Sequence, residues 1–177
     1  MPTKPVFRAD TEEALWQQVS ADLNREEDLF EYAAELHQGG YQVLISVDID
    51  LGGGFESGLT TTTLTAPVPG NVSLRFALHE QDWVHEIGKL LGIDDVELGD
   101  PALDAAFIIT TNDPAALQHL LLHKPGVRDT LLRYPDLRLT LAPASPAEPL
   151  LLTFTIDQAL TQEIGRASCR ERVCSTV

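Results

Sequence analysis

From Tyr41 to Leu51 the chain alternates: Tyr41, Val43, Ile45, Val47, Ile49 and Leu51 hold one set of positions, and Gln42, Ser46, Asp48 and Asp50 most of the other. A period of two puts the sets on opposite faces of a strand, so one face is expected in the core and the other in water. Gly39-Gly40 just before it is a hairpin signal, because a two-residue turn needs positive φ at both positions. From Leu29 to His37 a strand pattern (Phe30, Tyr32, Ala34, Leu36) competes with a helical one (Leu29, Tyr32, Ala33, Leu36), and the hairpin signal decides for the strand. Gly52-Gly53-Gly54 breaks the alternation. A Thr-rich strand from Leu59 to Ala66 follows, then the turn Pro67-Val68-Pro69-Gly70, then alternation at Val72, Leu74, Phe76 and Leu78. Consecutive strands with short connections predict an antiparallel meander.

Helical spacing marks other stretches. Asp10 or Thr11 can cap a helix whose first turn holds Glu12 and Glu13, suited to the positive end of its dipole, and whose stripe is Ala14, Leu15, Val19 and Leu23. Asp82 can cap a short helix carrying Trp83, Ile87, Leu90 and Leu91, which Gly92 closes. An acidic loop from Asp94 to Asp104 leads into an apolar strand over Ala105 to Ile109. Asp113 as cap and Pro114 at the first helical position open a helix using Ala116, Leu117, Leu120 and Leu121. Pro125 starts another, bounded by Pro135. Strands are then expected at Leu137, Leu139 and Leu141 and at Leu150, Leu152, Phe154 and Ile156, separated by a Pro-rich loop from Ala142 to Pro149. Asp157 could cap a last helix.

Together these elements predict an α+β fold: one mainly antiparallel sheet of about six or seven strands, an N-terminal helix and several short helices packed on it. Tyr41, Val43, Ile45, Val47, Phe76, Phe107, Ile109, Leu117 and Phe154 are the expected core. No repeat or interdomain linker interrupts the pattern, and a single domain is expected over residues 1–162.

The end of the chain reads differently. Cys169 and Cys174 both lie in the last nine residues, and no cysteine precedes them. Ile164-Gly165-Arg166-Ala167-Ser168-Cys169-Arg170-Glu171-Arg172-Val173 resembles the translation, in one frame, of a common sequencing-adapter DNA, ATC GGA AGA GCG TCG TGT AGG GAA AGA GTG. Residues 163–177 are therefore expected to be a non-native tail that packs on nothing. The native chain is expected to end near Gln162.

Charge narrows the partners. With 12 basic and 27 acidic residues the formal charge is −15. Setting the tail aside leaves 9 basic against 25 acidic residues, so the remainder is more acidic still. Such a surface repels phosphate backbones and anionic lipid, which argues against nucleic-acid and membrane partners. It suits either solubility or a protein partner with a basic surface. The N-terminus, Met1-Pro2-Thr3-Lys4-Pro5, has neither an apolar signal core nor an Arg-rich presequence, and a cytoplasmic location is expected.

Several residue groups are candidates for chemistry. Asp94, Asp95, Glu97, Asp100 and Asp104 cluster as hard-cation ligands would, but the Asp-x-Asp-x-Asp-Gly order of a calcium loop is missing and Pro101 restrains wrapping. A solvated loop with helix caps is the expectation. His79 and His85 are six apart, a poor ligand spacing. His119 and His123 are spaced i, i+4 but lack the Glu of a zinc-protease helix. Gly52 to Gly58 lacks the Lys-Ser/Thr of a phosphate loop, and Ser46, Ser57 and Ser73 lack a nucleophile elbow. The Thr60 to Thr63 run reads as the solvent face of a strand. No catalytic, metal or cofactor-binding residue is assigned, and no cofactor is expected.

One resemblance stands beside these readings. The stretch from Ile87 to Pro114 contains Gly99-Asp100-Pro101-Ala102-Leu103-Asp104-Ala105-Ala106-Phe107, the apolar pair Ile108-Ile109, and Asn112-Asp113. It resembles a bacterial family of uncharacterised proteins, whose signature is a short helix ending in Gly followed by Gly-Asp-x-x-hydrophobic-Asp-x-x-Phe and Asn-Asp. The resemblance extends from Trp16 through the C-terminal strands and implies an α+β domain; it supplies no catalytic residues. The expected function is a non-catalytic protein-binding or assembly module. The alternative is a small metal-dependent or small-molecule enzyme using Asp94, Asp95 and Asp100, or the Asp48 and Asp50 pair.

Overall fold

The structure is a computed structural model that describes residues 4–25, 31–50, 59–80, 95–124, 126–143 and 148–158. The expected helix around Trp83, the helix after Asp157, the glycine-rich loop at 52–58 and the tail lie outside the described residues. The fold is α+β, with one mostly antiparallel sheet of eight strands and, among the described residues, four helices. The strands are β1 (Val6–Arg8), β2 (Glu31–Gln38), β3 (Tyr41–Asp50), β4 (Leu59–Pro67), β5 (Phe76–Glu80), β6 (Phe107–Thr111), β7 (Arg138–Pro143) and β8 (Leu150–Ile156). The helices are α1 (Glu12–Leu23), α2 (Pro101–Ala106), α3 (Pro114–Leu122) and α4 (Val127–Arg133). Strand order is β1-β2-β3-β4-β8-β7-β5-β6. The described residues fall into two compact units, one within residues 1–64 and 157–177 and one within residues 65–156.

In the first unit the N-terminal helix begins where its sequence signals place it. Thr11 is the cap, its Oγ1 accepting from the Ala14 N–H at 3.3 Å, with Glu12 and Glu13 in the first turn. Leu15 and Val19 point inward against Tyr32, Ala34 and Leu36 of β2 and Ile45 and Val47 of β3. The buried Tyr32 donates its hydroxyl to the Asp22 carboxylate at 3.3 Å, tying β2 to α1. β2 and β3 pair antiparallel from Glu31↔Asp48 to Gln38↔Tyr41. The turn between them is Gly39 and Gly40, with φ of 56° and 85°, a conformation that a side chain would strain.

Several expectations are corrected in this unit. Tyr41, placed in the core by its alternation, is 75% exposed, because it stands at the hairpin turn where the cover of α1 gives way to an open cleft. Thr62 is fully buried, its hydroxyl donating to the Gln158 carbonyl at 2.7 Å, so the threonine run is not simply a solvent face. β1 was not expected at all. It pairs parallel with β2, Val6↔Glu35 to Arg8↔His37, and at three residues it is too short to show a period.

The second unit is organised around β5. Phe76, Ala77, Leu78 and His79 are all buried, as befits a strand covered on both faces, and β5 lies between β6 and β7. This overturns the four-strand meander: β5 does not follow β4 in the sheet. Val72 is exposed and precedes the strand, so the apparent alternation from 72 to 78 runs across a loop into β5. Asn112 fixes that loop, accepting from the Arg75 N–H at 2.7 Å and donating to the Ser73 carbonyl at 2.8 Å.

The short helix α2 replaces the expected start of a strand at Ala105. Asp100 accepts from the Ala102 and Leu103 N–H groups at 3.0 and 3.2 Å, and Pro101 has no N–H to satisfy at the first helical position. α3 opens as expected, Asp113 accepting from the Ala116 N–H at 3.0 Å. Leu117 and Leu121 face the core, whereas Ala116 is exposed and Leu120 is 37% exposed. α4 starts after Gly126, whose φ is 83°. The core of the unit gathers Phe76, Leu78, Leu98, Leu103, Phe107, Ile109, Leu117, Leu121, Leu131 and Leu137, with Phe154 partly buried at its edge. No helix of the described residues is long and apolar enough to cross a membrane.

Candidate functional site

The acidic loop is the tightest cluster in the sequence, and two of its side chains, Asp100 and Asp104, are engaged in building the fold. The Asp104 carboxylate, on α2, accepts from the N–H groups of Leu98 and Gly99 at 2.8 and 2.9 Å, closing the loop back on itself. Asp100 caps α2 and also receives Arg128 of α4, with Nε 2.6 Å from Oδ2 and Nη2 3.1 Å from Oδ1. This two-pronged pairing with Arg128 holds the Asp100 carboxyl well below its ordinary 3.8, at about 2, and the cap hydrogen bonds act in the same direction. Asp95 and Glu97 are exposed, and Asp94 lies outside the described residues. Among the described residues no three of His, Cys, Asp and Glu come together as a group that could hold a metal.

Of the candidate histidines, His79, His119 and His123 lie among the described residues. His79 is buried in β5, its Nδ1 donating to the Glu80 carbonyl at 3.0 Å. The rings of His119 and His123 stack, with centroids 4.7 Å apart and planes 12° from parallel. His85 and Ser57 lie outside the described residues, as does the side chain of Asp50, while Asp48 is exposed on β3. Ser46 is half-buried in β3 opposite Ala33, and Ser73 is exposed with its carbonyl taken by Asn112. Thr110 of β6 is 1% exposed, and its hydroxyl finds no partner among the described residues.

What the sequence did not disclose is a cleft in the first unit. It encloses about 550 Å³ between the first turn of α1 and the end of the β2–β3 hairpin. Leu15, Leu36 and Val43 form its floor with Leu64, Trp16 and Tyr41 are its aromatic groups, and Asp10 and Glu12 are its charged lining. The Trp16 indole N–H donates to Glu12 Oε1 at 3.4 Å, one helical turn away, which keeps ring and carboxylate together. Because Thr11 caps the helix, the Asp10 carboxylate is not required there. Both charged groups are exposed, and both are anionic. Such a cleft combines apolar walls with a negative rim, which favours a ligand having a cationic head on an apolar stem.

The sequence pattern marks Asp10 only as a cap and Tyr41 only as core. The available signal was Tyr41 itself: a polar-tipped aromatic next to a Gly-Gly turn, at the first position of an apolar stripe, is poorly placed to be covered. In comparisons with known proteins, no family model, curated protein or solved structure matches the chain.

Proposed function

We propose that this protein is a non-catalytic module that binds a protein partner with a basic surface. The observation that carries the reading is the cleft of the first unit, whose charged lining is acidic and whose aromatic Tyr41 is held in solvent. Exposed aromatic groups beside complementary charge are the usual anchors of protein recognition. The overall formal charge of −15 would draw a basic partner towards the surface and speed encounter. A metal-dependent enzyme built on Asp94, Asp95 and Asp100 has weaker support, since Asp100 is held by Arg128 and by the start of α2.

Affinity capture on the immobilised chain from an extract of its source cells tests the reading, run at roughly 0.1 M and roughly 0.5 M salt, where screening lengths differ about twofold. A stoichiometric basic protein retained at the lower salt and released at the higher is the expected result. Recovery of no protein above background, or of acidic proteins alone, would overturn the proposal.

A further inference from the structure

We infer that the cleft between α1 and the β2–β3 turn receives an arginine side chain of the basic partner; this deepens the proposed function and rests on it. The walls and the rim ask for different things. Leu36 and Val43 offer apolar surface to an aliphatic stem, while the carboxylates of Asp10 and Glu12 need a cation. Trp16 and Tyr41 add aromatic faces, to which a cation is drawn by the ring quadrupole. A guanidinium satisfies both at once, since it is planar enough to stack on a ring and presents a fork of N–H donors to a carboxylate. An ammonium is a more strongly hydrated point charge and gives up more on leaving water. One oxygen of Glu12 already accepts from the Trp16 indole, and an ionised carboxylate has acceptor positions to spare. At about 550 Å³ the cleft has room for such a side chain and part of the backbone that carries it.

Tyr41 gives the clearest handle, because at 75% exposure its removal should not disturb the fold. Binding of labelled hexa-arginine to the full chain, followed by fluorescence anisotropy, is compared with hexa-lysine of equal charge and hexa-citrulline of equal shape. Hexa-arginine should bind most tightly and hexa-citrulline should not bind. Tyr41→Ala should weaken hexa-arginine about two- to fivefold without moving the thermal midpoint, and Tyr41→Phe should restore it, as a ring-face interaction requires. Glu12→Gln should weaken it to a similar extent and flatten its salt dependence. Equal affinity for arginine and lysine peptides, or affinity unmoved by both Tyr41→Ala and Glu12→Gln, overturns the inference. Capture of a basic partner undiminished by Tyr41→Ala would remove the cleft assignment and leave the proposed function standing. Failure of the unaltered chain to capture any partner would remove the proposed function itself.

Discussion

Two helix starts in this molecule carry almost the same acidic signal and use it in opposite ways. At α2, Asp100 and Asp104 turn inward to the backbone: six hydrogen bonds bind them to Leu98, Gly99, Ala102, Leu103 and Arg128. At α1 a threonine does the capping, and Asp10 and Glu12 are left lining an open cleft beside Trp16 and Tyr41. The difference lies in what surrounds each carboxylate. Arg128 is 28 residues from Asp100 and reaches it because α4 brings it there, whereas among the described residues the charged lining of the α1 cleft is Asp10 and Glu12. A dense acidic run therefore does not by itself mark uncommitted carboxylates, since Asp100 and Asp104 are taken up by backbone N–H groups and Arg128.

The contrast can be broken or sharpened by substitution. The largest effect is expected beneath the engaged cluster. Phe107 ends α2 and is 2% exposed in the core of the second unit, so Phe107→Ala should cost about 3–5 kcal/mol in urea unfolding. A loss below about 1 kcal/mol would mean that the acidic loop does not rest on a packed core. Asp104→Ala comes next. It leaves the Leu98 N–H, on a residue 2% exposed, without its acceptor, and should cost about 1–3 kcal/mol. No measurable cost would place Asp104 with the uncommitted carboxylates.

The Asp100–Arg128 pair makes a pH-dependent contribution. Its carboxyl titrates at about 2 in the folded chain against an ordinary 3.8, so the folded state binds the proton less readily than the unfolded one. The stabilisation is complete above the ordinary value and is lost as pH falls through about 2. Thermal midpoints of the native chain and of Asp100→Asn, which can still cap α2, should therefore converge between about pH 4 and pH 2. Curves that stay parallel across that window would show that the pair is not formed in solution. The smallest effect is expected at the other helix start: Tyr41→Ala should change stability by no more than about 0.5 kcal/mol, as for exposed positions generally. A larger loss would make Tyr41 part of the core after all and erase the difference between the two regions.

Much of the local architecture was legible in the sequence. The Gly39-Gly40 turn, a helix start capped by Asp10 or Thr11 with the Leu15 and Val19 stripe, and the Asp113-Pro114 helix start all follow from chemistry acting over a few residues. The inward alternation of Ile45 and Val47 was equally plain, since a period of two fixes which side chains share a face. What only the tertiary structure decided was everything that depends on distant neighbours. The neighbours of β5 were decided by pairing with residues 27 to 65 positions away, and the parallel pairing of β1 by a crossover through α1. Thr62 became core and Tyr41 surface because one meets the carbonyl of Gln158, 96 positions away, and the other stands where α1 no longer covers the hairpin. Periodicity states which residues point the same way; whether anything covers them is settled by elements that the local sequence cannot see.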